Sequence, residues 1–261
     1  MKSTLLKAWG RVWPYFAVAA FLLILLQIGH WLKPIVIPSV GASISRLVDD
    51  LNNSAFWRQV GLSMYRLGIG YPIACVLGGF FGVLAGLYPA FAKFLRRFIA
   101  FMQSIPPIVW LPFLLVVLGF GNTPIIVVVT IASFFPMALT VLNGAEGVNK
   151  THLEAARVLG ANKPQLLRKV YLPETFPAFI TGAQVSFGNA WRSLVAAEMM
   201  GGVAVGLGFA VKFAGEIADM SGVVMYILVI GIIASVLDQV VLEQLKRRLL
   251  HWRYVNQGEG K

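Results

Sequence analysis

Long apolar runs are the feature that most constrains this chain, because about 20 apolar residues in a helix are enough to cross a bilayer core. Six such runs occur, and basic, polar segments separate them. They cover residues 13–32, 60–87, 98–118, 124–142, 176–199 and 222–242. Hydrophobic residues make up 58% of the sequence and charged residues only 13%, unlike a soluble domain. We therefore predict an all-α, polytopic membrane protein with six transmembrane helices.

The start of the chain also resembles a secretory signal peptide, since Lys2, Lys7 and Arg11 precede the first apolar run. The small-residue cleavage candidate at residues 40–42, however, lies far beyond that run and after two prolines. We therefore interpret the first run as an uncleaved span.

The basic residues predict the orientation of the spans. With the amino terminus in the cytoplasm, 16 Lys and Arg residues fall in cytoplasmic segments and four in outer loops. This asymmetry predicts that both termini are cytoplasmic. Since the net charge of +11 is concentrated in these short segments, it does not indicate nucleic-acid binding.

Several smaller features predict packing rather than chemistry. Gly78, Gly82 and Gly86 recur at intervals of four, which leaves one helix face open to a neighbouring helix. The single cysteine, Cys75, is expected to be buried. Residues 44–57 fit either an amphipathic helix in the outer interface or an ordinary connecting loop.

A polar segment between the fourth and fifth runs has the capping and turn residues of a helical hairpin. Thr151 and Glu154 fit a capping box, and Gly160 occupies the place of a left-handed residue after a helix. Pro164 suits the first turn of a second short helix. Pro173 and Pro177 are expected to break the path back into the membrane.

This hairpin resembles the EAA loop of permease subunits of binding-protein-dependent ATP-binding cassette importers. The match consists of Glu154-Ala155-Ala156, three residues, Gly160, nine residues, and then Val170-Tyr171-Leu172-Pro173. Val170 replaces the isoleucine of the family pattern. The stretches "SIPPIVWLPFLLVVLGFG" and "AWRSLVAAEMMGG" resemble the nitrate, taurine and alkanesulfonate branch of this family.

The resemblance implies a type I importer permease fold in which the hairpin is the coupling helix. Its expected coupling residues are Glu154, Ala155, Ala156, Gly160, Leu172 and Pro173. It also implies two copies of an ATPase subunit that bind ATP and Mg²⁺, a substrate-binding protein, a second permease copy and a bacterial inner-membrane location. The chain itself contains no phosphate-binding G-x-x-x-x-G-K-[ST] loop, and we expect no cofactor and no enzymatic activity of its own.

The same resemblance predicts three regions. Residues 1–59 contain the first transmembrane helix and a periplasmic connecting segment, and residues 60–245 form the core permease domain. The core includes the coupling loop at residues 146–175, and a basic cytoplasmic tail covers residues 246–261.

A polar stripe in the fifth run predicts a wall of the translocation path, since ionisable groups inside a span usually face a cavity or a partner. The candidates are Ser186, Asn189, Arg192, Ser193 and Glu198, with Glu198 at the outer end. Arg192 fits either a source of positive potential for an anion or an ion pair with Asp238. Arg66 is expected to snorkel outwards from its span.

Three questions stay open from the sequence. The glycines at 201, 202, 206 and 208 fit either a flexible gate or a tight loop. An ion-driven secondary transporter and a membrane scaffold are the alternative functions, although the carboxylates and inverted repeats expected of a secondary transporter are not evident. The substrate class favoured by the branch resemblance and Arg192 is a small organic or inorganic anion.

Overall fold

A computed structural model describes residue 21, residues 23–34 and residues 37–250, apart from the side chain of residue 241. The described residues are almost wholly helical and contain no strand. Residues 13–20 and 22 of the first predicted span, the signal-like start and residues 251–261 of the tail lie outside the described residues. The chain divides into two compact units, residues 1–58 with 210–229 and residues 59–209 with 230–261.

The described helices follow one another through short connections, and two π-helical turns and one 3₁₀ turn join neighbouring α-helices. The α-helices are α1 (Leu23–Leu32), α2 (Val40–Leu51), α3 (Ser54–Leu87), α4 (Pro89–Gln103), α5 (Leu111–Leu118), α6 (Asn122–Glu146), α7 (Lys150–Val158), α8 (Lys163–Leu166), α9 (Leu172–Met200), α10 (Leu207–Glu216), α11 (Met220–Ser235) and α12 (Glu243–Leu249).

Three continuous helical stretches of the described chain are long and apolar enough to cross a membrane. They are α3, α6 and the stretch Met220–Leu249, which runs from α11 through a π-helical turn into α12. They contain the predicted runs 60–87, 124–142 and 222–242. α6 continues through Pro136 without interruption.

The predicted third span is not one helix. α4 and the stretch Pro107–Leu118 together have the required length and hydropathy, but they meet at an angle of 81°. The break falls at Ser104–Pro106, where Pro106 and Pro107 lack the amide hydrogens that would continue α4. This pair is therefore a broken span or a re-entrant segment, and the predicted third run, residues 98–118, covers the end of α4, the break and α5.

The predicted fifth span, residues 176–199, lies inside the 29-residue helix α9. α9 is long enough to cross a membrane, but it is less apolar than α3, α6 and the stretch Met220–Leu249. Polar side chains such as Gln184, Asn189, Arg192 and Glu198 interrupt its apolar residues. Instead α9 packs extensively against α6.

In the unit formed by residues 1–58 and 210–229, residues 40–51 form the amphipathic helix α2. For the predicted segment 44–57, the structure thus favours a helix over a connecting loop. Ser39 caps α2 by accepting a hydrogen bond from the amide of Ala42 at 3.1 Å. Arg46 of this helix forms an ion pair with Asp219 at 3.4 Å. Residues 52–53 are not helical and separate α2 from α3.

The glycine face of α3 is a contact surface within the chain. A Cβ atom added to Gly78 would lie 2.8 Å from the Met137 side chain, and one added to Gly82 would lie 2.8 Å from the Ala138 carbonyl oxygen. Met137 and Ala138 both belong to α6, so the glycines allow α3 and α6 to approach closely. Cys75 is buried beside Met137, as expected.

We expect Gly82→Ala to lower the stability of the protein by about 1–3 kcal/mol, because the added methyl group overlaps backbone of α6. Gly68→Ala is the matched control, since no atom lies within 4 Å of a Cβ at that position of the same helix. There the replacement should be neutral, or stabilising by up to about 1 kcal/mol. Thermal unfolding in detergent would compare the two variants, and equal midpoints would contradict the packing interpretation.

Candidate functional site: a rigid hairpin and a buried ion pair

The polar hairpin begins at Asn149, one helical turn before the motif residues. The Asn149 side chain caps α7 by accepting a hydrogen bond from the amide of Thr151 at 2.9 Å. The capping box predicted for Thr151 and Glu154 is therefore wrong, because Thr151 already lies inside the helix. A short polar side chain two residues earlier performs the same task.

Gly160 ends α7 in the left-handed conformation that the sequence predicted, with φ of +82°. Its amide donates to the Arg157 carbonyl at 2.9 Å, and the amide of Ala161 donates to the Ala156 carbonyl at 3.0 Å. These two bonds form a Schellman motif, which satisfies carbonyls that a helix end otherwise leaves free. The chain direction after α7 is therefore fixed by backbone hydrogen bonds.

The second arm of the hairpin starts with a capping box formed by Asn162 and Gln165. Each side chain accepts from the other residue's backbone amide, at 3.0 Å and 2.9 Å, and Pro164 occupies the first turn as predicted. This arm is not a short separate helix: α8 continues through a π-helical turn, Leu167–Tyr171, directly into α9.

Pro173 and Pro177 consequently do not break the path, which corrects the prediction for both. Pro173 stands in the first turn of α9, where a missing amide hydrogen costs little. The π-helical turn before it redirects the hydrogen bonds, since the Leu172 amide donates to the Leu167 carbonyl five residues earlier. The second arm of the hairpin therefore continues into α9 without an intervening loop.

The base of the hairpin is tied to the start of α9. The Glu174 carboxylate accepts from the Asn149 amide at 3.0 Å and contacts the His152 ring. Tyr171 packs nearby against Gly86 and Ala145, and burial, with the Glu146 charge as a smaller cause, raises the pKa of Tyr171 to about 12. Both arms of the hairpin are thus anchored.

The motif residues are mostly accessible. Glu154, Ala155 and Gly160 are exposed, Ala156 is half-buried, and Leu172 and Pro173 at the start of α9 are exposed. Sequence reasoning missed Val158 and Leu159, whose surfaces are 87% and 86% exposed at the turn. The available signal was the position of two large apolar residues directly before the capping glycine of a polar hairpin.

A second polar cluster lies where α3 meets the end of α9. Arg66 is almost completely buried and forms an ion pair with Glu198, which is fully buried. Ser63 donates to the Glu198 carboxylate at 2.8 Å, and Arg66 also donates to Asn122 and to the Val205 carbonyl, each at 2.8 Å. The expectation that Arg66 snorkels outwards is therefore wrong.

The glycine-rich segment 201–208 closes over this ion pair as a tight loop. The Gly208 amide donates to Glu198 and the Leu207 amide donates to Ser63, both at 2.9 Å. Gly206, at φ of +154°, passes so close that an added Cβ would lie 2.5 Å from the Glu198 carboxyl carbon. Of the two readings of this segment, the hydrogen bonds favour the tight loop.

The predicted path residues fall into two groups. Ser186 and Glu198 are buried within the chain, whereas Asn189 and Ser193 are partly accessible and Arg192 is exposed. Arg192 contacts the Asn189 side chain at 3.5 Å, and among the described residues it forms no ion pair with Asp238. Asn189 also lines a cavity of about 330 Å³ near the broken span.

The described residues contain no cluster of His, Cys, Asp and Glu that could hold a metal ion. Apolar helices of spanning length, joined to a rigid polar hairpin that continues into a core helix, are the features of a transport permease. Residues 78–249, more than half of the chain, match the family described as binding-protein-dependent transport system inner membrane component. The chain belongs to this family and is a permease subunit of an ABC importer.

Two relatives and one solved structure agree with this assignment. The taurine transport system permease protein TauC of Escherichia coli is 34% identical over 200 residues, covering 77% of this chain and 72% of TauC. The bicarbonate transport system permease protein CmpB of Synechococcus elongatus is 29% identical, covering 73% of this chain and 68% of CmpB.

The solved structure is the MetNI methionine ABC transporter in inward-facing conformations. It aligns with a TM-score of 0.56 and 23% identity, covering 74% of this chain and 94% of the solved one. This similarity confirms the all-α type I importer permease fold. As a member of this family the chain is an inner-membrane transport component rather than an enzyme.

Proposed function

We propose that this chain forms half of a homodimeric path that imports a small anion, driven by ATP hydrolysis in a separate ATPase subunit. The observation that carries the proposal is the hairpin, whose direction is fixed by the Schellman motif and whose second arm continues into α9. A rigid lever of this kind transmits a displacement that a flexible loop would absorb.

The surface proposed for ATPase contact is the exposed side and turn of the hairpin. Glu154 and Ala155 present a carboxylate and a small side chain, and Val158 and Leu159 add two apolar side chains at the turn. Contact sites between proteins commonly combine apolar anchors with a polar rim. Two ATPase copies, each with ATP and Mg²⁺, would then engage the hairpins of the two permease copies on the cytoplasmic side.

An anionic substrate is favoured by the relatives and by one exposed cation. TauC is named for taurine, which carries a sulfonate group, and CmpB is named for bicarbonate. Arg192 is exposed on α9 beside Asn189 and is free of the proposed pairing with Asp238. A cation in a low-dielectric path attracts an anion more strongly than one in bulk water. Asn189, Arg192 and Ser193 are the path residues we retain.

The homodimer rests on the branch resemblance and not on the glycine face of α3. That face is occupied by α6 of the same chain, so it is not available to a second copy. We also propose that a substrate-binding protein delivers the substrate to the permease. Both termini of the chain would lie in the cytoplasm.

The decisive experiment co-expresses the chain with a candidate ABC ATPase subunit from the same organism and reconstitutes the purified complex into liposomes. Uptake of labelled taurine or bicarbonate should require the binding protein and internal ATP, and native mass spectrometry should find two permease and two ATPase copies. Uptake driven by an ion gradient without ATP would contradict the proposal in favour of a secondary transporter. A complex that hydrolyses ATP but takes up neither solute would contradict the assignment of these substrates.

We expect Arg192→Gln to reduce uptake of an anionic substrate by about tenfold, because it removes the charge from the path. Arg192→Lys keeps the charge and should retain most of the uptake. Initial rates in proteoliposomes with matched protein content provide the measurement. Equal rates for the original protein and both variants would remove Arg192 from the path.

A further inference from the structure

A basic cavity lies between the end of α3 and the second arm of the hairpin. Its volume is about 730 Å³, and its wall includes Tyr88 and Tyr171. Three cationic residues, Arg157, Lys163 and Arg168, also line it. None of the three forms an ion pair with any acidic side chain in the described part of the chain. Three unpaired positive charges around one cavity favour an anionic ligand.

Tyr171 adds an unpaired polar group to the wall of this cavity. Its side chain is buried, and within the described residues its hydroxyl has no hydrogen-bond partner. The hydroxyl also packs closely on Gly86, where an added Cβ would lie 2.3 Å from it. Buried hydroxyl groups are nearly always paired, and this one packs on Gly86, which also lines the cavity.

An apolar groove of about 440 Å³ continues from the basic cavity, because Leu87 and Leu167 line both. Its other lining residues come from α3 and α9 and are hydrophobic or glycine, among them Phe80, Leu84 and Phe179. α3 is a candidate membrane span, and Tyr88 follows its last residue at the position where tyrosines meet the membrane interface. The two cavities together form one amphipathic site.

We propose that this site binds an anionic phospholipid, with its headgroup phosphate among Arg157, Lys163 and Arg168 and an acyl chain in the apolar groove. A soluble phosphate would use the basic cavity and leave the groove empty, whereas a phospholipid matches both. Basic pockets beside spans on the cytoplasmic side bind anionic headgroups in this way. The bound lipid would fasten the second arm of the hairpin to the end of α3. The inference rests on the proposed function only in placing the hairpin at the cytoplasmic face.

The test uses the full chain in detergent without the ATPase, so that a failure of ATPase coupling would not affect the result. Native mass spectrometry would titrate phosphatidylglycerol and phosphatidylcholine with matched acyl chains. We expect phosphatidylglycerol to bind about a hundredfold more tightly, since three cations line the cavity and each strengthens binding of an anionic lipid by about fivefold. Equal binding of the two lipids would overturn the proposal.

Two triple variants that each remove three positive charges distinguish binding in the cavity from non-specific electrostatic attraction. Arg157→Gln/Lys163→Gln/Arg168→Gln should lose the preference for phosphatidylglycerol. Lys93→Gln/Lys150→Gln/Lys169→Gln removes three exposed cations that do not line the cavity, and it should keep the preference. If both variants lose it equally, the attraction is not site-specific and the proposal fails.

The original protein alone provides a measurement that does not depend on how a variant folds. A phosphatidylglycerol with a photoreactive acyl chain should label peptides containing residues 79–88 and 163–172, and uniform labelling of all spans would contradict the site. Glycerophosphoglycerol, the headgroup without acyl chains, and inorganic phosphate serve as competitors. If either displaces the lipid at equal concentration, the ligand is a soluble phosphate and the lipid assignment is wrong.

Discussion

Gly160→Val should abolish the stimulation of ATP hydrolysis by loaded binding protein while leaving the membrane helices folded. Gly160 has φ of +82°, and a side chain there costs at least about 1–2 kcal/mol, more when it is β-branched. The strain is relieved if the Schellman bonds to Arg157 and Ala156 open, which changes the direction of the chain after α7. Val158 and Leu159 would then leave their positions for ATPase contact.

Gly160→Asn is the matched control for this prediction. No atom lies within 4 Å of a Cβ at Gly160, so there is room for either side chain and only the backbone conformation distinguishes them. Asparagine adopts positive φ more readily than other non-glycine residues, so coupling should be largely kept. ATPase activity of the reconstituted complex, with and without loaded binding protein, is the measurement. Normal stimulation in Gly160→Val would show that the angle of the hairpin does not matter.

The parts of the molecule that the sequence predicted well are those set by local chemistry. The positive φ of Gly160 and the place of Pro164 follow from short-range rules for helix ends, and the structure confirms both. The face formed by Gly78, Gly82 and Gly86 was correctly assigned to close helix packing, because small residues at intervals of four have few other uses.

Helix boundaries were predicted less well where two local rules compete. Thr151 and Asn149 are both good capping residues, and the sequence alone does not choose between them. Pro173 suggested a break, yet the π-helical turn at Leu167–Tyr171 allows the helix to continue. Such a turn depends on packing of the hairpin against the rest of the chain and has no short sequence signature.

The buried cluster was the largest omission, because its partners are distant in the sequence. Arg66 and Glu198 are separated by 132 positions, and each alone resembles an ionisable residue near the end of a span. Pairing between them is a tertiary property that a single sequence does not reveal. Glu198 was placed in the translocation path because it is polar. Its carboxylate instead contacts Arg66, Ser63 and Gly208 within the chain.

Breaking this ion pair should destabilise the protein more than Gly82→Ala does. Glu198→Gln leaves the Arg66 charge buried without its partner, and loss of one member of a buried pair costs about 3–5 kcal/mol. Arg66→Met should cost a similar amount, because the Glu198 carboxylate would then be the uncompensated charge. Arg66→Met also removes the bond to the Val205 carbonyl, so the loop 201–208 should become more sensitive to proteases in that variant.

The double variant Arg66→Met/Glu198→Gln completes a cycle that separates pairing from burial. It buries no unpaired charge, so its loss of stability should be smaller than the sum of the losses in the two single variants. We expect an interaction energy of about 1–3 kcal/mol between the two positions. Arg192→Gln on the same helix is the control, since Arg192 is exposed and unpaired and its loss should change stability by less than about 0.5 kcal/mol. Unfolding midpoints in detergent give all four values. If the single losses simply add, Arg66 and Glu198 do not stabilise each other, and the loop above them must be held by Ser63 and the backbone bonds alone.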